Sequence, residues 1–165
     1  MGRRLLFAFI VALIFLIANA VVSLRATNTL IENNQKVVHT LEIIKDVEAT
    51  FSIVKDAETG QRGYLLTGNR DYLRPYDSAM ERIDKRLSDL NQLTAQDPEQ
   101  RSRIEPLGQA IMERLKTLSE NIVIYKEGGA DALRSRGTVE LGKAQMEAIR
   151  NAVAEITTVE DARLA

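Results

Sequence analysis

Ala57-Glu58-Thr59-Gly60-Gln61-Arg62-Gly63-Tyr64-Leu65-Leu66-Thr67-Gly68, followed by Asn69-Arg70-Asp71-Tyr72-Leu73-Arg74-Pro75-Tyr76, is the point at which one long helical pattern ends and the chain turns back. Upstream of it Val37, Leu41, Ile44, Val47, Phe51 and Val54 recur every three or four residues, as one face of a helix requires. The same spacing reaches Glu58, Gln61 and Leu65, so two polar side chains fall on the face due to be buried. Buried polar residues hydrogen-bond a partner helix or specify register at some expense in stability. Arg62 stands four residues after Glu58, the better order for a helical ion pair, although an exposed pair contributes only about 0.2 to 0.5 kcal/mol. Gly60 and Gly63 each lower helix propensity by roughly 1 kcal/mol relative to Ala, which is tolerated where another backbone or side chain approaches closely. Gly68 suits a left-handed helix cap and Asn69 the N-cap of the next helix. Glu58, Gln61, Arg62 and Tyr64 are therefore the polar set expected to hold this hairpin end in register. Tyr64, Tyr72 and Tyr76 cluster around the turn, where such rings either pack the tip or face a ligand.

Downstream, Leu73, Tyr76, Met80, Ile83, Leu87 and Leu90 form a heptad-like seam, and Pro75 belongs in the first turn of that helix. Asp97-Pro98-Glu99-Gln100 is a helix start: Asp as N-cap, Pro at the first helical position, acid in the first turn and Gln placed for a capping box. The third helix uses Ile104, Leu107, Ile111, Leu115, Leu118, Ile122 and Tyr125, bends at Pro106 and ends at Gly128-Gly129. A short helical piece from Ala130 to Ser135 precedes a second stop and start at Gly137-Thr138. The last helix carries Met146, Ile149, Val153 and Ile156, and its spacing continues to Glu160 and to Arg163, placed to be an interfacial anchor. The fold class is all-α, an elongated antiparallel four-helix bundle over residues 27–165.

Leu5 to Leu24 carries no charge and spans about 20 residues, roughly 30 Å of helix, which matches the hydrocarbon thickness of a bilayer. Arg3 and Arg4 precede it, so residues 1–4 are expected in the cytoplasm, 5–24 across the membrane and the remainder outside. From Thr27 to Leu66 there is no Pro and no Gly before Gly60, so the membrane helix is expected to continue into the bundle. A cleavable signal peptide ending at Ala18-Asn19-Ala20 is the rival reading; the apolar run continues through Val21, Val22 and Leu24, which favours an uncleaved anchor.

The stretch Glu58-Thr59-Gly60-Gln61-Arg62-Gly63-Tyr64-Leu65-Leu66-Thr67-Gly68, with Tyr72-Leu73 and Pro75-Tyr76 after it, resembles the signature of the third class of CHASE domain, an extracytoplasmic sensor placed ahead of bacterial histidine kinases, diguanylate cyclases and chemotaxis receptors. The resemblance runs from about Asn28 to the end and is densest in the quoted stretch. It implies a sensory four-helix bundle held between two spans of the inner membrane, with the bulk of the domain periplasmic. It also implies a homodimer responding to a small-molecule or protein signal, and a second span and an output domain beyond residue 165.

Composition narrows the alternatives. In 165 residues, 22 basic against 23 acidic side chains give a formal net charge of −1, so nothing favours a nucleic-acid partner. With no Cys there is no disulfide, thiolate metal site or Cys nucleophile. No phosphate loop, zinc motif or nucleophile elbow is present, and acids such as those of the Glu81/Lys85 and Glu147/Asn151 pairs are spaced as helix-surface charges. His39, the single histidine, lies beside the apolar face and reads as a surface residue. No catalytic residue, cofactor site or metal site is expected. Two readings compete with the sensor: a spacer bundle that only dimerises another domain, and a cleaved periplasmic helical carrier.

Overall fold

The computed structural model describes residues 2–164, the side chains at 3–8, 10–12, 14, 138 and 139 excepted. Four helices account for nearly all of it: α1 (Gly2–Thr67), α2 (Arg74–Leu93), α3 (Pro98–Ser135, broken at Gly129, whose φ of 67° is left-handed, as the Gly128-Gly129 stop predicts) and α4 (Thr138–Ala162), with a 3-10 turn at Arg70–Leu73 between the first two. The chain forms two compact units, Met1–His39 and Thr40–Ala165.

In the first unit the described apolar side chains are exposed, among them Phe9, Phe15, Leu16, Ile17, Val22 and Leu24, and further along Leu30, Ile31, Val37 and Val38. Among the described residues no helix is long and apolar enough to cross a membrane. Of the span expected over 5–24, the side chains at 5–8, 10–12 and 14 lie outside the described residues.

The second unit is held by a single core drawn from all four helices. Ile43, Val47, Val54 and Ala57 of α1 meet Leu73, Ala79, Ile83 and Leu90 from the turn and α2, Ile104 through Ile122 of α3, and Met146, Ile149, Val153 and Ile156 of α4. Cross-helix pairs give the directions. Gly60 lies against Tyr72 and Pro75 while Asp46 pairs with Arg86, so α2 returns antiparallel to α1. Gln100 meets Glu160 while Arg114 meets Gln145, so α4 returns antiparallel to α3.

The buried face of α1 is rotated from the one the apolar spacing predicts. Leu41 is 51% exposed and Val37 38%, whereas Thr40, Ile43, Val47, Thr50, Val54, Ala57, Glu58, Gln61 and Tyr64 are buried. A pattern count credits Val37 and Leu41 and overlooks Thr40 and Thr50. Thr50 is tolerated inside because its hydroxyl donates to the Asp46 carbonyl at 2.7 Å, leaving a methyl to pack. The seam of α2 shifts in the same way: Ala79 is fully buried and Met80 41% exposed. On α3 and α4 every apolar position named above is at least partly buried.

The helix ends follow local chemistry. Gly68 takes φ 70°, the left-handed conformation that terminates α1, and donates its N–H to the Tyr64 carbonyl. Asn69 then caps the 3-10 turn, its Oδ1 accepting from Asp71 N at 3.0 Å. Asp97 Oδ1 accepts from Glu99 N and Gln100 N, the expected N-cap of α3. Gln100 does not complete a capping box; its side chain turns inward to Glu160. Pro106 lies within α3 at an exposed position.

Gly108, also inside α3, has ordinary room for a methyl group, the nearest atom to an added Cβ being Leu87 Cδ2 at 3.8 Å. Gly108→Ala is therefore expected to stabilise the bundle by up to about 1 kcal/mol through helix propensity, read as a higher urea midpoint with unchanged slope.

Candidate functional site

Residues 58–67 of the quoted stretch form the last three turns of α1 and present two different faces. Towards α2, Gly60 and Gly63 make a groove one helical turn long. A Cβ on Gly60 would stand 2.6 Å from the backbone oxygen of Tyr72, and one on Gly63 2.5 Å from the Tyr72 ring. These two glycines admit the turn at van der Waals contact, which explains why their low helix propensity is tolerated.

Towards α3 and α4 the same turns carry a buried polar layer. Glu58 is 7% and Gln61 2% exposed. Gln61 donates from Nε2 to the Leu118 carbonyl of α3 at 3.1 Å. The Glu58 carboxylate receives two guanidinium groups on one oxygen, from Arg62 of its own helix and from Arg114 of α3 at 3.3 Å. Arg62 is largely exposed, but the Arg114 side chain is only 4% exposed. Burial pulls the Arg114 guanidinium below its ordinary value, and the Glu58 carboxylate opposes that pull; an arginine stays charged throughout the working pH range. Gly142 of α4 makes the space, since a Cβ there would stand 2.7 Å from Arg114 Nη1. Gln145 of α4 completes the layer, its Oε1 3.5 Å from Arg114 Nη1 and its Nε2 donating to Thr117 Oγ1 at 3.0 Å.

Arg114, Thr117 and Asn121 were not legible as core residues. They lie one residue before or three after Leu115 and Leu118 on a helix whose apolar positions already account for a packed face, and charge by itself assigns an arginine to solvent. The single hint was that Glu58 and Gln61, on the buried face of α1, required polar partners elsewhere.

The tyrosines separate. Tyr64 is buried and meets Tyr125 edge to face, with ring centroids 5.3 Å apart; Tyr76 is a core residue; Tyr72 is about half exposed and lines a surface cleft with Thr59, Gly60 and Pro75. They do not share a described cavity. Thr59 and Thr67 bond back to the carbonyls of Lys55 and Gly63, and Leu66 is 85% exposed. Among the described residues no group of acidic or histidine side chains is placed to hold a metal. Glu81, Lys85, Glu147 and Asn151 are all exposed, as their spacing predicts; Lys85 pairs with Asp89 and Glu147 with Arg150.

A second polar cluster closes the opposite end of the bundle. Glu160, 2% exposed, accepts from Gln100 Nε2 at 3.1 and 2.9 Å. Arg163 donates to Asp97 at 2.7 Å and to Glu99 at 3.1 Å, joining the end of α4 to the start of α3. Arg163 is thus a clasp within the bundle rather than a free interfacial anchor. Its guanidinium holds the Asp97 carboxyl below its ordinary 3.8, and Arg103, then Arg163, hold Glu99 below 4.5. Carboxyls held down in the folded state contribute stability that is complete above those ordinary values and lost as pH falls through the lower folded ones. Arg163→Gln should therefore be less stable than the parent at pH 7 and flatter in its acid dependence. Urea midpoints of the two proteins should converge as the pH falls below the lowered folded values, where the carboxyls are protonated in both states.

Residues 33–165 match the family model of the CHASE3 domain. The crystal structure of the sensor domain of histidine kinase HK9 from Rhodopseudomonas palustris is similar, with 28% sequence identity and a TM-score of 0.67 over 74% of this chain and 96% of that one. No curated protein matches the chain. The family match spans most of the chain and includes the two-faced Glu58–Gly68 stretch: the chain belongs to the CHASE3 domain family.

Proposed function

We propose that this chain is the extracytoplasmic sensor module of a membrane-bound bacterial receptor and passes a conformational signal through its helices. The observation that carries the reading is the likeness to a histidine kinase sensor domain, over nearly the whole of that domain, together with the family match. The uncharged run from Leu5 to Leu24 supports a membrane span, with Arg3 and Arg4 on its cytoplasmic side. The exposure of Phe9, Phe15, Leu16, Ile17 and Val22 fits residues whose solvent is lipid. A homodimer is favoured by Leu30 with Val37, and Ile31 with Val38, exposed apolar pairs one heptad apart on α1. No catalysis is assigned to the chain; an output activity belongs to whatever it is joined to.

Signalling in such a bundle needs only two packings whose populations a signal shifts, and a shift of 1–2 kcal/mol changes their ratio about five- to thirty-fold. The test is a C-terminal fusion to alkaline phosphatase, active only outside the cytoplasm, with a fluorescent-protein fusion as its counterpart. Phosphatase activity with a membrane-pelleting chain is expected. Activity in a soluble, shortened chain would favour the cleaved carrier, and fluorescence without phosphatase activity would overturn the extracytoplasmic reading.

A further inference from the structure

Between α1 and α4 lies an open groove of about 370 Å³ whose charged lining is mostly cationic. Lys55 and Arg62 stand on α1 and Lys143 and Arg150 on α4, against Glu58 and Glu147, so two positive charges are in excess on a chain whose formal net charge is −1. All four cations are exposed and open to a ligand. Lys55 and Lys143 pair with no carboxylate among the described residues. The Lys55 ammonium rests instead 4.8 Å from the centre of the Phe51 ring. Arg62 and Arg150 each hold one carboxylate, Glu58 and Glu147, and a guanidinium with its fork of N–H donors has some to spare.

The four cations are placed in order. Within each helix the two are seven residues apart, hence on one face and about 10 Å apart along the axis. Glu58 meets Arg114 and Gln61 meets Leu118, so α1 runs parallel to α3 and antiparallel to α4. Arg62 therefore falls at the Lys143 end of the groove, where it also shares a small cavity with Gly142, and Lys55 falls at the Arg150 end. Each end thus carries a cationic pair. Between the pairs lie Thr59, the buried thioether of Met146 and the Glu147 carboxylate. A compact anion midway meets an apolar floor and a like charge, whereas a negative group at either end meets two cations. The spacing of charge selects two negative groups joined by an apolar chain.

We propose that this groove binds a straight-chain α,ω-dicarboxylate, one carboxylate between Lys55 and Arg150, the other between Arg62 and Lys143, and the methylene chain over Met146. The two seats lie about 10 Å apart, which a chain of roughly six to eight carbons spans with the long cationic side chains leaning inward, and which malonate does not. This rests on the sensor reading and names the chemistry of its signal. A ligand held by both walls ties α1 to α4, so its occupancy favours whichever packing sets these two helices at that spacing.

The experiment uses the full chain in nonionic detergent micelles, with calorimetric titration and thermal melts against malonate, succinate, adipate and suberate, and against inorganic phosphate and the monomethyl ester of adipate. Adipate or suberate is expected to bind tightest in the series and to raise the melting temperature, with malonate, phosphate and the singly charged ester roughly tenfold weaker, as the loss of one seat's two exposed ion pairs implies. Added salt should weaken the preferred acid. Lys55→Gln and Lys143→Gln, both at exposed positions outside the core, should each weaken it about threefold to fivefold, and the double variant should bring it to the level of the ester. Affinity that does not change with chain length, phosphate or the ester binding as tightly as adipate, lysine variants that bind unchanged, or no binding at millimolar acid would each overturn the site. The acid series on the unmodified chain decides the matter even where a variant fails to fold. The outcomes also separate the two readings: active phosphatase fusions with no binding remove the site and leave the sensor standing, whereas binding in micelles with a cytoplasmic C-terminus does the reverse.

Discussion

Arg114→Met is expected to destabilise the bundle by about 3 kcal/mol, the lower end of the range for breaking a buried ion pair. The lower end applies because Glu58 keeps its second partner, Arg62, after Arg114 is lost. The urea midpoint should fall by about 1–3 M. The cause is testable through Gly142, whose missing Cβ makes room for the guanidinium. In the parent protein Gly142→Ala drives a methyl group into Arg114 and should destabilise. In the Arg114→Met background the same substitution meets a flexible thioether and gains up to about 1 kcal/mol of helix propensity. A reversal of sign between the two backgrounds is the expected result. Equal costs in both would mean that Arg114 does not set the α3 to α4 spacing.

Gly60→Val should cost about 2–3 kcal/mol, because the added carbon meets a backbone oxygen that cannot move without reshaping the turn. Gly63 meets instead the ring of Tyr72, a side chain. Gly63→Ala should therefore be rescued by Tyr72→Ala, which removes the obstructing ring atoms, while Gly60→Val should not. The measurement is a pair of double-mutant cycles in urea. A large coupling is expected between positions 63 and 72 and little between 60 and 72. Coupling at both would mean that the Tyr72 ring alone, rather than the main chain of the turn, occupies the groove.

Both predictions concern faces of the same stretch, and their legibility in the sequence differs for a physical reason. Two glycines in an otherwise unbroken helix announce a close approach, because nothing else offsets their propensity cost; that Tyr72 is the residue which approaches depends on the geometry of the 3-10 turn. Glu58 and Gln61 on a buried face likewise announce polar partners. They do not say which, since Gln61 uses a helix carbonyl, that of Leu118, which every residue possesses.

Helix number, helix order, the caps at Gly68, Asn69 and Asp97 and the apolar faces of α3 and α4 were determined by the sequence alone, because periodicity and capping are local and depend on residues within a turn or two. The rotation of α1 that buries Thr40 and exposes Leu41, and the inward turn of Gln100, required the neighbouring helices. So did the burial of Arg114 against Glu58 beside Gly142 and the clasp between Arg163 and Asp97. Each joins residues distant in the chain or weighs one helix face against another, and the free energy of such a contact is set by what desolvates it, which only tertiary packing decides.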